Sequence, residues 1–429
     1  MAGPTIEQQY AEMLVRRAGV VVLNPVQTSM ADSASVGAFG RLRVANPLTL
    51  WDTQFQYGKQ PLSWEEVTQG GASAATHLPN ESAISFAVAS GSSDFVFRQT
   101  HNYLRYKPGK SQLVVTTGNL GGHQAGQYRR MGYFDADNGV FLESDGVNVN
   151  IVLRSRVTGS VVETRVPQSS WNLNKFDTGD LNLDPANAQI FAVDLEWLGV
   201  GRVRAGFFIG GDLVYAHEFL HANMSTTTYM TTANLPVRYE ARNFAAQSGT
   251  TTGFKQICST VISEGGESSI IADQIRAAST SLTTPLVIPD SGFVPVISVR
   301  LKSTVNGIAN RGLIKPMGLD SLITASKNVY WEVLLNPTIN STSWLSTDAE
   351  SIAEYNLDAT TVSGGYRLSN GYAAGVNQSK GSSPSDLSSK VYLSRNHNNT
   401  SSDIVTLAMR SLSAPDSNGY ASIQWAELI

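Results

Sequence analysis

The chain has 429 residues, enough for two or three domains each with its own core. Only 15% of it is charged and 41% is hydrophobic, with a formal net charge of −4 from 31 basic and 35 acidic residues, which excludes wholesale disorder. No basic run tracks a phosphate backbone, no polybasic or basic-then-apolar segment opens the chain, and no apolar run approaches the ~20 residues of a membrane helix. Neither nucleic acid nor a membrane is therefore expected as a partner. The single cysteine, Cys258, sits among Phe254, Ile257, Val261 and Ile262 and is expected as a buried thiol in a chain folded in a reducing cytoplasm.

In chain order, Thr5 and Gln8 make a capping box, and Ile6, Tyr10, Met13 and Leu14 fall on one stripe. A short N-terminal helix is expected, with Arg16 and Arg17 in its last turn and Gly19 ending it. So short a helix must dock to persist, on its own domain or as an arm reaching a neighbouring subunit. Ile6, Tyr10, Met13 and Leu14 are the expected assembly contacts.

Beyond it the chain reads as strands and turns. Met131 to Phe134, Val140 to Leu142 and Val147 to Leu153 are joined by Asn138-Gly139 and Asp145-Gly146, whose positive φ angles suit tight hairpins. Phe191, Val193, Leu195 and Trp197 alternate with Asp194 and Glu196, then Val203, Ala205, Phe207 and Ile209 follow among Arg202 and Arg204. A loop over 198–200 sets Asp194 against Arg204 and Leu195 against Val203, because a one-residue slip would oppose acids to apolar residues. Further strands are expected at 294–301, 329–335, 391–394, 404–409 and 421–425, and the Gly-, Ser- and Asn-rich stretch 363–388 is expected as a surface loop. The fold class is mainly β, with antiparallel sandwich or jelly-roll-like domains: an arm over 1–30, a main sandwich over 31–265 and a second β-rich domain over 266–429.

One motif carries chemistry on its face. His217-Glu218-Phe219-Leu220-His221 matches the H-E-x-x-H of zinc peptidases, and Glu240 is a conceivable third ligand. That chemistry needs both histidines on one helical face. Here a Gly210-Gly211 turn and Leu213-Val214-Tyr215 precede the motif, which reads as strand, and residues four apart on a strand lie about 13 Å apart. Positions 224 and 227 are Met and Thr, so the longer three-histidine form fails as well. His217, Glu218 and His221 are thus expected as a decoy, with no metal, cofactor or catalytic residue assigned. Asp135, Asp137 and Asn138-Gly139 resemble a calcium loop, but Gly146 stands where its bidentate glutamate belongs, and a hairpin turn is the better reading. The tryptophans are expected mainly as core anchors, with one or two candidates for stacking on a sugar ring. Glycosidase carboxylates leave no sequence spacing to read.

Several phrases resemble a group of tailed-bacteriophage virion structural proteins common in phages of aquatic bacteria. They are Phe39-Gly40-Arg41-Leu42-Arg43-Val44, Thr76-His77-Leu78-Pro79-Asn80-Glu81-Ser82, Tyr106-Lys107-Pro108-Gly109-Lys110-Ser111 and Gly132-Tyr133-Phe134-Asp135. Glu196-Trp197-Leu198-Gly199-Val200-Gly201-Arg202-Val203-Arg204, Asn234-Leu235-Pro236-Val237-Arg238-Tyr239-Glu240, Gln256-Ile257-Cys258, Tyr392-Leu393-Ser394-Arg395-Asn396 and Ser402-Asp403-Ile404-Val405-Thr406-Leu407 match too. The resemblance implies a virion component assembled in the host cytoplasm, partnered by other virion proteins and by copies of itself, with a trimer favoured. It supplies no catalytic residues. A host-surface glycan-binding module of a tail fibre is the alternative expectation; a zinc peptidase or a glycan-degrading tailspike is the enzymatic one.

Overall fold

Short alternating runs broken by Gly-rich turns build strands, and the computed structural model is almost wholly antiparallel sheet. It describes residues 47–265, 274–341, 343–375, 380–382 and 391–429. The expected N-terminal helix and its contacts Ile6, Tyr10, Met13 and Leu14 lie outside those residues. Among the described residues the helical segments are 3₁₀ turns at Gln168–Ser170 and Gly179–Leu181.

The first sandwich faces an eight-stranded sheet against a seven-stranded one. Successive strands cross between them in a jelly-roll-like manner: Ala83–Val88, Gln112–Asn119 and Thr251–Ser263 lie in the larger sheet, and Phe95–Thr100, Gln127–Phe134 and Val237–Asn243 in the smaller. The inward residues of the two sheets, among them Phe86, Val114, Met131, Tyr133, Phe191 and Tyr239, form one continuous core. Long polar side chains also cross it. Arg98 Nη1 donates to Gln256 Oε1 at 2.7 Å, tying one sheet to the other. Arg129 donates to the carbonyls of Leu120, Gly121 and Thr252 at 2.8, 3.0 and 2.7 Å, and burial pulls its guanidinium down to about 10.

The hairpin register is as the alternation requires: Asp194 pairs Arg204, and Leu195 pairs Val203. The charged face is buried as well as the apolar one, and Asp194 meets Arg204 at 2.7 Å and accepts from Ser111 and Tyr215 at 2.8 Å each. Cys258 is a correction: it lies on the outer side of its strand, opposite Thr117 and Gln54, and is only half-buried. Apolar residues flank it in sequence, but a strand sends neighbours to opposite faces.

The second sandwich packs two five-stranded sheets around Val299, Ile314, Val333, Leu407, Ile423 and Trp425. Strands Val294–Leu301 and Val329–Leu335 fall where alternation sets them, and Ser417–Leu428 runs through its sheet between Gln274–Ser279 and Leu313–Ile323. Two expectations fail here. Residues 391–394 form no strand and contribute only an isolated bridge from Leu393 to Ile314. The supposed loop over 363–388 contains the strand Tyr366–Ala373, paired along Val329–Leu335. Its Gly371 is required, because a Cβ there would meet the Trp331 ring at 2.6 Å.

The sandwiches meet where Glu65 of the strand Trp64–Gln69 reaches the turn around His397. Arg311 reinforces the contact, donating to the carbonyls of Asn396 and His397 at 2.7 Å each while its guanidinium lies 4.4 Å from the Tyr103 ring.

Candidate functional site

The strand Asp212–Phe219 ends before His221, so only the first half of the H-E-x-x-H motif is strand. A bulge at Ala216 interrupts its pairing with Val203–Ile209. Asn172 clasps the motif: its N–H donates to His217 Nδ1 at 3.3 Å, its amide donates to the Glu218 carbonyl at 3.0 Å, and its Oδ1 accepts the Glu218 N–H at 2.9 Å. His217 packs edge-on against Phe219, whereas His221 lies flat on Tyr229 at 4.0 Å and donates from Nδ1 to the Gly201 carbonyl at 2.9 Å. Burial lowers both imidazoles below their ordinary values. Glu218 sits 3.5 Å from Arg202. Glu240 belongs to the opposite sheet, and among the described residues no group of three side chains is placed to hold a metal ion. Asp135 spends its carboxylate on a turn, accepting the N–H groups of Asp137 and Asn138 at 2.8 Å each, which closes the hairpin.

A second concentration of charge covers the outer face of the seven-stranded sheet. Glu143, with no exposed surface, accepts from Arg130 Nε and Arg165 Nε at 2.8 Å each. Glu240 accepts from Arg130 at 3.0 Å and from Arg238, and Glu163 from Arg154 at 2.6 Å and from Arg165. Phe134 and Phe141 lie 4.3 Å apart beneath, with Arg154 over both and Arg238 3.6 Å above Phe97. Burial alone would raise the Glu240 and Glu163 carboxyls. The surrounding guanidiniums, Arg238 and Arg130 for the first, Arg130 and Arg154 for the second, hold both below the usual carboxylate range. A glycosidase acid needs the opposite, a carboxyl kept protonated near neutrality. This layer is therefore built as a brace, with each acid locked between guanidiniums and each guanidinium seated on a ring.

The third arrangement is open to solvent. On the outer face of the second sandwich, Tyr330 stands directly across from Tyr372 on one side and Arg410 on the other. The ring centroids of Tyr330 and Tyr372 are 5.1 Å apart, and Phe293 extends the row 6.0 Å beyond Tyr330. Tyr372 is 70% exposed. Asn370, exposed beside it, donates to the Tyr330 hydroxyl at 2.8 Å, Arg410 is anchored to the Asp290 carbonyl at 3.1 Å, and Arg367 pairs with Glu332 at 2.7 Å. The result is a strip with one exposed ring, Tyr372, beside the half-buried rings of Tyr330 and Phe293, edged by amide and guanidinium donors. Such a surface takes a ligand that is apolar on one face and polar at its rim.

Sequence reasoning missed this strip because it read the segment carrying Tyr366, Asn370 and Tyr372 as loop. The available signal was short: only Asn370 and Tyr372 share the outer face, because a bulge at Leu368 shifts the register of the strand. The tryptophans are elsewhere. Trp64, Trp171 and Trp425 are buried, Trp331 belongs to the second core, and Trp344 lies 3.8 Å under the Arg300 guanidinium.

No protein-family model and no curated protein matches the chain. Solved structures similar to part of it include the CBM2 module of the evolved Dit of Lactobacillus casei BL23 phage J-1, 7% identical with a TM-score of 0.31 over 52% of this chain and 99% of that one. A legume lectin-like domain from Entamoeba histolytica is 8% identical with a TM-score of 0.28, over 49% of this chain and 95% of that one. A family 16 glycosyl hydrolase from Mycobacterium smegmatis is 9% identical with a TM-score of 0.33, over 50% of this chain and all of that one, 100%. At these scores the likenesses bear on no function of this chain.

Proposed function

We propose that the chain is an exposed structural subunit of a tailed-phage particle, and that its second sandwich binds host-surface glycan through the outer-face strip. The observation that carries the glycan reading is the row Phe293, Tyr330 and Tyr372, edged by Asn370 and Arg410. A pyranose offers axial C–H groups to a ring face and hydroxyls to amide and guanidinium donors, so its two chemistries match the two chemistries of the strip. The virion setting is supported by the phrase resemblance and by the low charge of the chain. Association with copies of itself, a trimer being the favoured order, belongs to the same reading; exposed Tyr57, Leu282 and Ile308 are available apolar contacts.

The chain acts by binding and not by catalysis. The Glu143, Glu163 and Glu240 carboxylates are committed to guanidiniums, and the H-E-x-x-H histidines to Asn172, Gly201 and neighbouring rings.

Adsorption of fluorescently labelled protein to host cells, and to a printed glycan array, tests the glycan reading. Wild-type protein is expected to bind and Tyr372→Ala to bind about tenfold more weakly, the loss of one ring-stacking contact of ~1.4 kcal/mol. Equal binding by the two proteins would remove the strip from the account.

A further inference from the structure

Where the two sandwiches meet, two adjoining cavities of about 320 and 420 Å³ share His101, Asn336 and Asp403 as a common wall. The smaller is walled by Trp51 and by apolar Leu62, Leu335 and Leu368. The larger opens past Glu65 and Ser402. The combined space suits a ligand of one or two rings.

The shared wall is set in advance. Asn336 adopts a left-handed backbone conformation, φ 53°, which asparagine tolerates better than most non-glycine residues. Three bonds hold it there: its N–H donates to the Ile404 carbonyl at 2.8 Å, its Oδ1 accepts the Ile404 N–H at 2.9 Å, and its amide donates to Asp403 Oδ1 at 2.8 Å. Asp403 Oδ2 accepts the Ser394 N–H at 3.0 Å and hydroxyl at 3.1 Å. Among the described residues no ammonium or guanidinium pairs with Asp403, so its carboxylate faces the cavities with acceptor capacity to spare. The Trp51 indole lines the smaller cavity with its N–H out of reach of solvent.

We infer that this interdomain cleft is a second binding site, for a single neutral glycosyl residue that donates hydroxyls to Asp403 and lays its apolar face on Trp51, Leu335 and Leu368. Asn336, held by three bonds, and Asp403, with no paired cation among the described residues, fix the polar end, and the apolar wall fixes the face. An anionic sugar is disfavoured, because Asp403 and Glu65 both line the space. The inference extends glycan binding to a site separate from the outer-face strip, and the two sites can succeed or fail independently.

The test uses the full chain carrying Tyr372→Ala, which disables the strip. Saturation-transfer NMR is recorded with free N-acetylglucosamine, N-acetylgalactosamine, glucose and galactose, each alone at about 10 mM, well above a millimolar Kd. At least one sugar is expected to show transfer, reduced at least tenfold by Asp403→Asn and by Trp51→Ala. Leu368→Phe, which narrows the cavity and removes no hydrogen bond, keeps the test decisive should either variant fail to fold. Transfer from none of the four sugars, or transfer unchanged in every folded variant, overturns the cleft site; cell adsorption through Tyr372 is read separately and is unaffected by either outcome.

Discussion

Glu65 and His397, 332 positions apart, are joined twice: Glu65 Oε2 accepts the His397 backbone N–H at 2.8 Å, and Oε1 meets its Nδ1 at 2.7 Å. The imidazole also stands edge-on to Phe97, 5.1 Å between centroids. Burial works to raise the Glu65 carboxyl, but its contacts with His397 outweigh this and hold it below the ordinary glutamate value. A carboxyl with a depressed folded value stabilises fully above its unfolded value of about 4.3 and loses that contribution as the pH falls through the folded value. Glu65→Gln is expected to cost about 1–2 kcal/mol at pH 7 and progressively less below about pH 4. Urea unfolding of both proteins at the two pH values measures the gap. A gap that stays constant into acid would show that the carboxylate is not what joins the sandwiches.

The guanidinium layer predicts strong coupling. Glu240→Gln leaves Arg130 and Arg238 facing a neutral amide in a buried layer, and is expected to destabilise by about 3–5 kcal/mol. Arg238→Met added to Glu240→Leu is expected to cost less than the sum of the two single changes, because it removes a charge pair together. A denaturation-based double-mutant cycle that came out additive would contradict the brace.

His221 is neutral in the fold, donating from Nδ1 to the Gly201 carbonyl, with burial lowering its folded value. Stability from such a group is complete above the unfolded value of about 6.5 and declines as the pH falls below it, because only the unfolded chain takes up the proton readily. His221→Phe keeps the stack on Tyr229 and loses one hydrogen bond, about 1 kcal/mol at pH 8. Its melting temperature is expected to fall less steeply than wild type between about pH 7 and 5. Parallel slopes in a thermal-shift series would refute this.

Gly139 closes the Asp135–Asn138 turn at φ +139°, and a Cβ there would fall 2.2 Å from the Cβ of Phe134. Backbone conformation and space both forbid a side chain, so Gly139→Ala is expected to cost more than about 3 kcal/mol. Circular dichroism melting of the variant decides it; a shift of only a degree or two would mean the hairpin can open locally.

Much of the fold was legible where alternation and turn chemistry agreed. The Asp194–Arg204 register followed from the cost of opposing an acid to an apolar residue, and the Asn138-Gly139 hairpin from the backbone angles that glycine permits. Legibility ended where composition masked period. Tyr366–Ala373 is rich in polar residues because one face meets solvent, and the ring row that makes it a candidate site is assembled across strands that begin 37 residues apart at Val329 and Tyr366. The guanidinium layer was equally hidden: Arg130, Glu143, Glu163 and Glu240 come from four strands, and a charged residue's sequence neighbours do not reveal that an outer sheet face will be closed over. Nor did H-E-x-x-H announce that its second histidine lies off the strand, where it meets Tyr229 and the Gly201 carbonyl.

The strand Thr251–Ser263 sits inside the eight-stranded sheet, paired with Leu48–Gln54, Ala83–Val88 and Gln112–Asn119. Every one of those partners is synthesised long before it. A nascent chain that stops short of residue 251 has open edges on three finished strands and nothing to close them, so the first sandwich is completed only after its last strand leaves the ribosome. Until then those edges are available to other chains, and a gene truncated within that strand should yield aggregate rather than a smaller folded domain.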